Sequence, residues 1–224
     1  MQRQSCYLVT CSVCVSKTIS RGDTLLWENL NKKYDESMRY PQKTITECAE
    51  IISGLVEQKD AEAILYEAVL PSQITPAGFI PEYGKIQRMP TSDMPFLNTG
   101  DVIIKRLNPD CAVVFENEAV QALPSANLFI IRPNIGILDP YYLAFVLESS
   151  KALSRISQRS GINSAVSAVS ANQIKNSVIP LPPLEKQRNF GALWQCAKKR
   201  NRLLHEMISE NNNLIRSISE NLYQ

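Results

Sequence analysis

NSVIPLPPLEKQRNFGALW, Asn176 to Trp194, decides how the chain is divided. A short apolar run, Val178 to Leu181, meets three prolines, and apolar residues at helical spacing follow at once. Proline has no N–H to donate to a sheet ladder. Pro180 and Pro182 therefore confine "VIPLP" to a sheet edge or the end of a strand. Pro183 suits the opening of a helix, where a missing N–H costs nothing. Glu185 suits the positive end of that helix's dipole. None of these residues is an obvious nucleophile, metal ligand or phosphate cradle. The stretch reads as a mechanical joint between a globular domain and a projecting helix.

The helix that it opens carries one long seam. Phe190, Trp194, Ala197, Asn201, Leu204, Ile208, Asn211, Ile215, Ile218 and Leu222 follow alternating steps of four and three. A repeat of 3.5 residues favours a coiled-coil partner over packing against a domain's own flank. A helix from 184 to 222 would be roughly 58 Å long, too long to lie wholly on one small domain. Asn201 and Asn211 sit inside the seam, where asparagine costs stability but sets register and partner number. Phe190, Trp194, Leu204, Ile208, Ile215 and Ile218 are the expected dimer or partner contacts.

Upstream, the signals are mixed. "TITECAEIISGL" has capping-box spacing at Thr44 and Glu47 and apolar residues at Cys48, Ile51, Ile52 and Leu55, which predicts a short amphipathic helix. From about residue 62 to residue 132, "AILYEAVL", "DVIIKRL", "CAVVF" and "NLFIIR" are rich in β-branched and aromatic residues and predict strands. Two proline-laden loops, "PSQITPAGFIPEYG" and "RMPTSDMPFLNTG", lie among them. In "LDPYYLAFVLESSKALSRIS", Asp139 is placed to cap a helix and Pro140 to begin it. "SANQIKN" offers one more turn capped by Ser170. The fold class is α/β, in the sense of an α+β mixed-sheet domain, with a long C-terminal coiled-coil helix. Residues 1–43 form an unassigned N-terminal segment, 44–182 the domain, and 183–224 the helix.

At 224 residues, with 44% hydrophobic and 21% charged residues, the chain can fill a core of ordinary size. No run of 18 apolar residues suggests a membrane span, and the N-terminus lacks the apolar core of a secretory signal, so a cytoplasmic location is expected. Six cysteines are too few for a disulfide scaffold in a chain this long. Cys6, Cys11 and Cys14 echo part of an iron–sulfur spacing, but with no fourth ligand in sight they read as thiols. "DPYY", Asp139 to Tyr142, resembles an amino-methyltransferase motif without its second proline, and capping accounts for it. Asp110, Glu116 and Glu118 lack the lysine of an E-x-K nuclease pattern. The one histidine, His205, falls on the heptad helix, and Gly78, Gly84 and Gly100 are too isolated for a phosphate loop. The reading is non-catalytic, with no metal and no cofactor.

Nucleic-acid binding is the positive alternative. Basic and amide side chains interleave through the middle of the chain: Lys85, Gln87 and Arg88, then Lys105 and Arg106, then Arg155, Gln158, Arg159 and Asn163. Arginine reads guanine and asparagine or glutamine reads adenine, while lysine positions phosphates. Lys105, Arg106, Arg155 and Arg159 are candidates for phosphates; Gln87, Arg88 and Asn163 are candidates for base edges, and Lys85 joins the same surface. "KKRNR", Lys198 to Arg202, is either a solvated helix face or a contact for phosphate or an acidic partner.

The order "LNTGDVIIKR", "NLFIIRP", "DPYYLAFVLES", "SGINSAVSAVSANQIKNSVIPLPPLEKQ" and a long heptad helix resembles the specificity subunit of type I restriction–modification systems, over residues 43–224. The resemblance implies a target recognition domain that reads half of a bipartite DNA site. It further implies a helix that sets spacing and docks the modification (methyltransferase) subunits, in a complex with restriction subunits. Such subunits usually hold two recognition domains and two helices, against one of each here. A homodimer, or pairing with another half-subunit through the C-terminal helix, would restore the full arrangement. The competing reading is a coiled-coil assembly or scaffold protein whose globular domain binds protein.

Overall fold

The computed structural model describes residues 40–117, 119–149 and 168–222. The chain divides into two compact units, Met1–Tyr40 and Pro41–Gln224, and every element below belongs to the second.

Four strands make the central sheet: β2 (Ala49–Ser53), β7 (Val102–Lys105), β8 (Ala112–Val114) and β10 (Leu128–Pro133), in the order β2-β10-β7-β8. Every neighbouring pair is antiparallel. Side chains alternate across a strand, so register sorts them into two faces. Ile52, Ile130, Ile103 and Val113 stand in one row, and Ile51, Ile131, Val102 and Val114 in the next, on the opposite face. Both rows are covered, which is why these strands read as unbroken apolar runs. The first face packs under Val69, Ile74, Leu97 and Phe115. The second packs under Leu143 and Leu147 of helix α1 (Pro140–Glu148), with Ile45, Ile174 and Ile179 at its rim.

A smaller sheet holds β6 (Gly84–Arg88), β3 (Ile64–Val69) and β9 (Leu123–Pro124), with β3–β6 antiparallel and β3–β9 parallel. Two further ribbons pair β4 (Ile74–Thr75) with β5 (Gly78–Phe79), and β1 (Gln42–Thr44) with β11 (Val178–Pro180). Helix α2 (Ala171–Lys175) precedes β11, and helix α3 runs for 38 residues, Leu184–Asn221. A mixed-sheet domain followed by a long helix is the expected fold class.

One expectation fails. The stretch from Thr44 is not an amphipathic helix but a single 3-10 turn, Ile45–Glu47, followed by β2. The cap itself forms: the Thr44 N–H and hydroxyl donate to Glu47 Oε2 at 2.7 and 2.8 Å. The Ile51–Ile52 pair then finds β10 as a partner, and a β-branched pair gains more in the ladder than in another helical turn. β4, β5 and most of β6 lie in or beside a segment that reads as proline-laden loop.

Other local readings hold. The Asp139 carboxylate accepts from Tyr142 N–H at 2.9 Å, and the Ser170 hydroxyl accepts from Gln173 N–H at 3.3 Å. Among the described residues β11 pairs on one side only, in keeping with Pro180. No described helix is long and apolar enough to cross a membrane.

Candidate nucleic-acid interface

The sequence-selected polar residues fall on two different sheets. Lys85, Gln87 and Arg88 belong to edge strand β6. Lys85 Nζ lies 3.5 Å from Glu67 Oε1 on the adjacent strand, with both side chains about half exposed. Such a pair contributes about 1 kcal/mol or less. Gln87 stands opposite Leu65. Arg88 is committed to the fold on one side: its Nη1 donates to Val56 O at 2.8 Å. Its Nε is buried without a partner among the described residues. With Gln58 N–H donating to Gln87 O at 2.9 Å, it holds the segment after Leu55 along the sheet edge.

Lys105 and Arg106 stand at the end of β7. Lys105 Nζ is 2.7 Å from Asp110 Oδ1 and is mostly buried. Burial raises the Asp110 carboxyl, but hydrogen bonds from Lys105 and Cys111 outweigh it and hold the group below its ordinary value. A depressed carboxyl stabilises the fold above its unfolded value and loses that contribution as pH falls through its folded one. Acidification below the usual aspartate range should therefore loosen this corner, seen as earlier amide exchange at Lys105 and Asp110 than at β10. Burial first, and then the Asp110 charge, push the neighbouring Cys111 thiol up to about 12. This cysteine is a core thiol, not a reactive one.

The Arg106 guanidinium lies 4.6 Å from the centroid of the Phe129 ring. Its carbonyl accepts from Val169 N–H at 2.9 Å, and Ala168 bridges Leu107. The chain thus re-enters the described structure directly beside Arg106. Arg155, Arg159 and Asn163 lie between Ser149 and Ala168, outside the described residues, as does Glu118.

The helix seam is divided by the fold. Phe190 stacks on Phe145 with ring centroids 5.9 Å apart and is half-buried against α1, as is Trp194. Leu204, Ile208, Ile215 and Ile218 are all exposed, and so is every described residue from Lys199 onward. The first two seam residues therefore dock the helix on its own domain, and the last four are presented outward. Met207 and Leu214, also exposed, flank the seam and broaden it.

Docking depends on residues that heptad spacing does not select. Gln187 is 1% exposed. Its Nε2 donates to Ile137 O and Pro182 O at 2.9 and 2.8 Å, and its Oε1 accepts from Asp139 N–H at 2.9 Å. Glu148 joins three elements: it accepts from Ala112 N–H of β8 at 3.1 Å, Trp194 Nε1 at 2.9 Å and Lys198 Nζ at 2.5 Å. Between these two clusters lies Gly191, where an added Cβ would sit 2.8 Å from Tyr141 Cβ and 2.9 Å from Asp139 Oδ1. The available sequence signal was a glycine inside a helical pattern, which marks a close approach. Gly191→Ala is expected to lower stability by about 1–3 kcal/mol through overpacking, against the gain of about 1 kcal/mol that alanine brings to an open helix. Thermal denaturation reads the sign directly.

The other candidates for chemistry have structural occupations. Asp139 caps α1 and Glu116 accepts from the Tyr141 hydroxyl at 2.8 Å. His205 Nδ1 lies 2.7 Å from Asn201 O on the exposed helix.

No protein-family model matches the chain. It is 26% identical, over 156 residues, to a putative type I restriction enzyme MjaX specificity subunit of Methanocaldococcus jannaschii, a match that takes in 64% of this chain and 35% of the relative. The HsdS subunit from Thermoanaerobacter tengcongensis shares its fold over 80% of this chain and 47% of that one, with 20% identity and a TM-score of 0.57. A chain from a structure of the assembly and conformational transition of a type I R-M system matches over 79% and 47%, with 20% identity and a TM-score of 0.61. The chain spans about half or less of the length of the relatives it matches. The resemblance to type I specificity subunits that the order of sequence segments carries is thus met independently by a curated homologue and by the fold.

Proposed function

We propose that this relative of type I specificity subunits is a non-catalytic DNA-recognition unit, which reads half of a bipartite site and docks the modification methyltransferase of a type I complex. The single observation that carries the reading is the division of α3. One end is fixed to a recognition-type domain by Gln187, Phe190 and Trp194, and the other presents an apolar seam that is exposed among the described residues. A helix held at a fixed angle with an open seam can set the distance between two readers. Residues 44–182 are the reader and 183–224 the spacer.

Lys85 and Gln87 on one sheet, Lys105 and Arg106 on the other, and Arg155, Arg159 and Asn163 are the proposed DNA contacts. Lys105 serves by exchanging Asp110 for a phosphate; Arg88 acts mainly by holding the edge of β6. The seam from Leu204 to Ile218 pairs with a second copy or another half-subunit, and the added Met207 and Leu214 suit a further helix from the methyltransferase subunit alongside.

Selection from a random duplex library, with the chain alone and with a methyltransferase subunit, should enrich one short motif, as an inverted repeat if two copies pair. Affinity should fall steeply with salt, and Lys85→Ala should reduce the salt slope by about one. A library that returns no motif under any condition would sink the reading. Leu204→Asp with Ile208→Asp should abolish pairing in sedimentation while leaving the domain's melting temperature in place; retained pairing would remove the seam from its role.

A further inference from the structure

Where α3 passes the β4–β5 ribbon, a cleft of about 560 Å³ opens between helix and domain. That is the size of a small-ligand pocket. Phe79 and Val113 on the domain side and Trp194 on the helix side give it apolar surface. Lys198, Lys199 and Arg202 line the helix wall, and Glu116 and Tyr141 the other.

The charges in the cleft do not balance. Lys198 is committed: its ammonium meets Glu148 at 2.5 Å and donates to Pro76 O at 2.8 Å. Glu116 accepts from the Tyr141 hydroxyl and leaves one negative charge on the wall opposite Lys198, Lys199 and Arg202. Burial, and then that hydrogen bond and charge, push the Tyr141 phenol up to about 12, so it stays a neutral donor. Lys199 has no ion-pair partner among the described residues, and Arg202 only a loose, exposed one, Glu206 at 3.7 Å. Lys199 and Arg202 are three residues apart, on one face of the helix. Lys199, and Arg202 with only its loose partner, at the mouth of an aromatic-lined cleft call for a ligand with a flat apolar body and a multiply charged anionic tail. Arginine's fork and lysine's point charge together suit phosphate. Gln195, also in the lining, supplies an amide that can donate and accept at a heterocycle's edge.

We infer that this cleft binds a nucleoside phosphate, its ring against Trp194 and Phe79 and its phosphates on Lys199 and Arg202. The site uses none of the residues proposed above as DNA contacts, so it stands or falls separately from that reading. Because its walls belong to the long helix and to the domain, an occupant would bridge the joint and stiffen it.

Tryptophan fluorescence of the full chain, with Trp27→Phe so that Trp194 alone reports, tests the inference. ATP and ADP should quench it saturably and raise the melting temperature. Adenosine and tripolyphosphate, each carrying half of the chemistry, should bind about tenfold or more weakly. Lys199→Glu with Arg202→Glu should weaken ATP binding by about tenfold or more while the unliganded melting temperature holds, since both side chains are exposed. Four results would overturn it: no saturable change at millimolar ATP; equal affinity in the charge variant; tripolyphosphate as tight as ATP; or stoichiometric displacement of ATP by duplex DNA, which would make this face part of a DNA surface instead.

Discussion

Arg132→Met should lower the stability of the domain by about 3–5 kcal/mol, because it strands a carboxylate in the core. Asp101 is 1% exposed. Both its oxygens are held by Arg132, with Nε to Oδ1 and Nη2 to Oδ2 each at 2.8 Å. The same guanidinium donates to Phe96 O at 2.9 Å, and Asp101 Oδ2 also accepts from Asn98 N–H at 2.8 Å. The fork therefore fastens the turn Asn98–Asp101 to β10. Gly100 occupies the left-handed region of that turn at φ 91°, where a side chain is strained. Methionine keeps most of the volume and removes every donor. For a domain of this size the melting temperature should drop by about 10 °C. The variant Asp101→Leu with Arg132→Met should recover much of the loss, because a buried pair replaced on both sides is often tolerated. A double-mutant cycle by chemical denaturation gives the coupling. Single and double variants that melt alike would show that the pair is not the source of the loss.

Gln187→Leu carries the second large effect, and it bears on function as well as stability. Leucine fills similar space but offers no polar atom, so Pro182 O, which is buried, and Asp139 N–H and Ile137 O, which are partly buried, would lose their partner. Each unsatisfied group costs about 1–3 kcal/mol, so a loss of roughly 3 kcal/mol or more is expected. The loss should be local in character. Amide exchange should accelerate first at the start of α3 and around Asp139, with β7 and β10 still protected. Gln187→Glu keeps the acceptor but loses two donors and adds a buried charge, so it should be worse than leucine. If the helix end and the central sheet lost protection together, Gln187 would be an ordinary core residue and not the fastening of the joint. In a paired complex, the leucine variant should also widen the range of spacings tolerated between two half-sites, because the helix no longer leaves the domain at one angle.

Much of the architecture could be read from short windows. Asp139 and Ser170 cap their helices because a side-chain oxygen reaches an N–H three residues on, without help from the rest of the fold. Pro183 opens α3 because its ring removes a donor that the helix does not use. The runs at β7, β8 and β10 are apolar throughout because both faces of their sheet are covered. The misreading of Thr44 onward has an equally local origin. The cap signal was true, but it promised only one turn, and the isoleucines after it answer to β10, some eighty residues away. The β4–β5 ribbon is not legible in the sequence because two-residue strands leave no periodicity to detect.

By itself, the sequence determined where the long helix begins, that it carries a seam with a 3.5-residue repeat, and that its family resemblance lies with type I specificity subunits. These depend on spacing along the chain, and spacing survives without coordinates. Only the tertiary structure decided which part of the seam is used at home. Phe190 and Trp194 repeat like Ile208 and Ile215, yet the first pair is docked on α1 and the second left open. The difference comes from Gln187, Gly191 and Glu148, whose partners are contributed by Ile137–Tyr142, Ala112 and Pro182. A buried glutamine that satisfies three backbone groups and one that faces water look the same in a sequence. What separates them is desolvation, and desolvation exists only once the chain has folded around the residue.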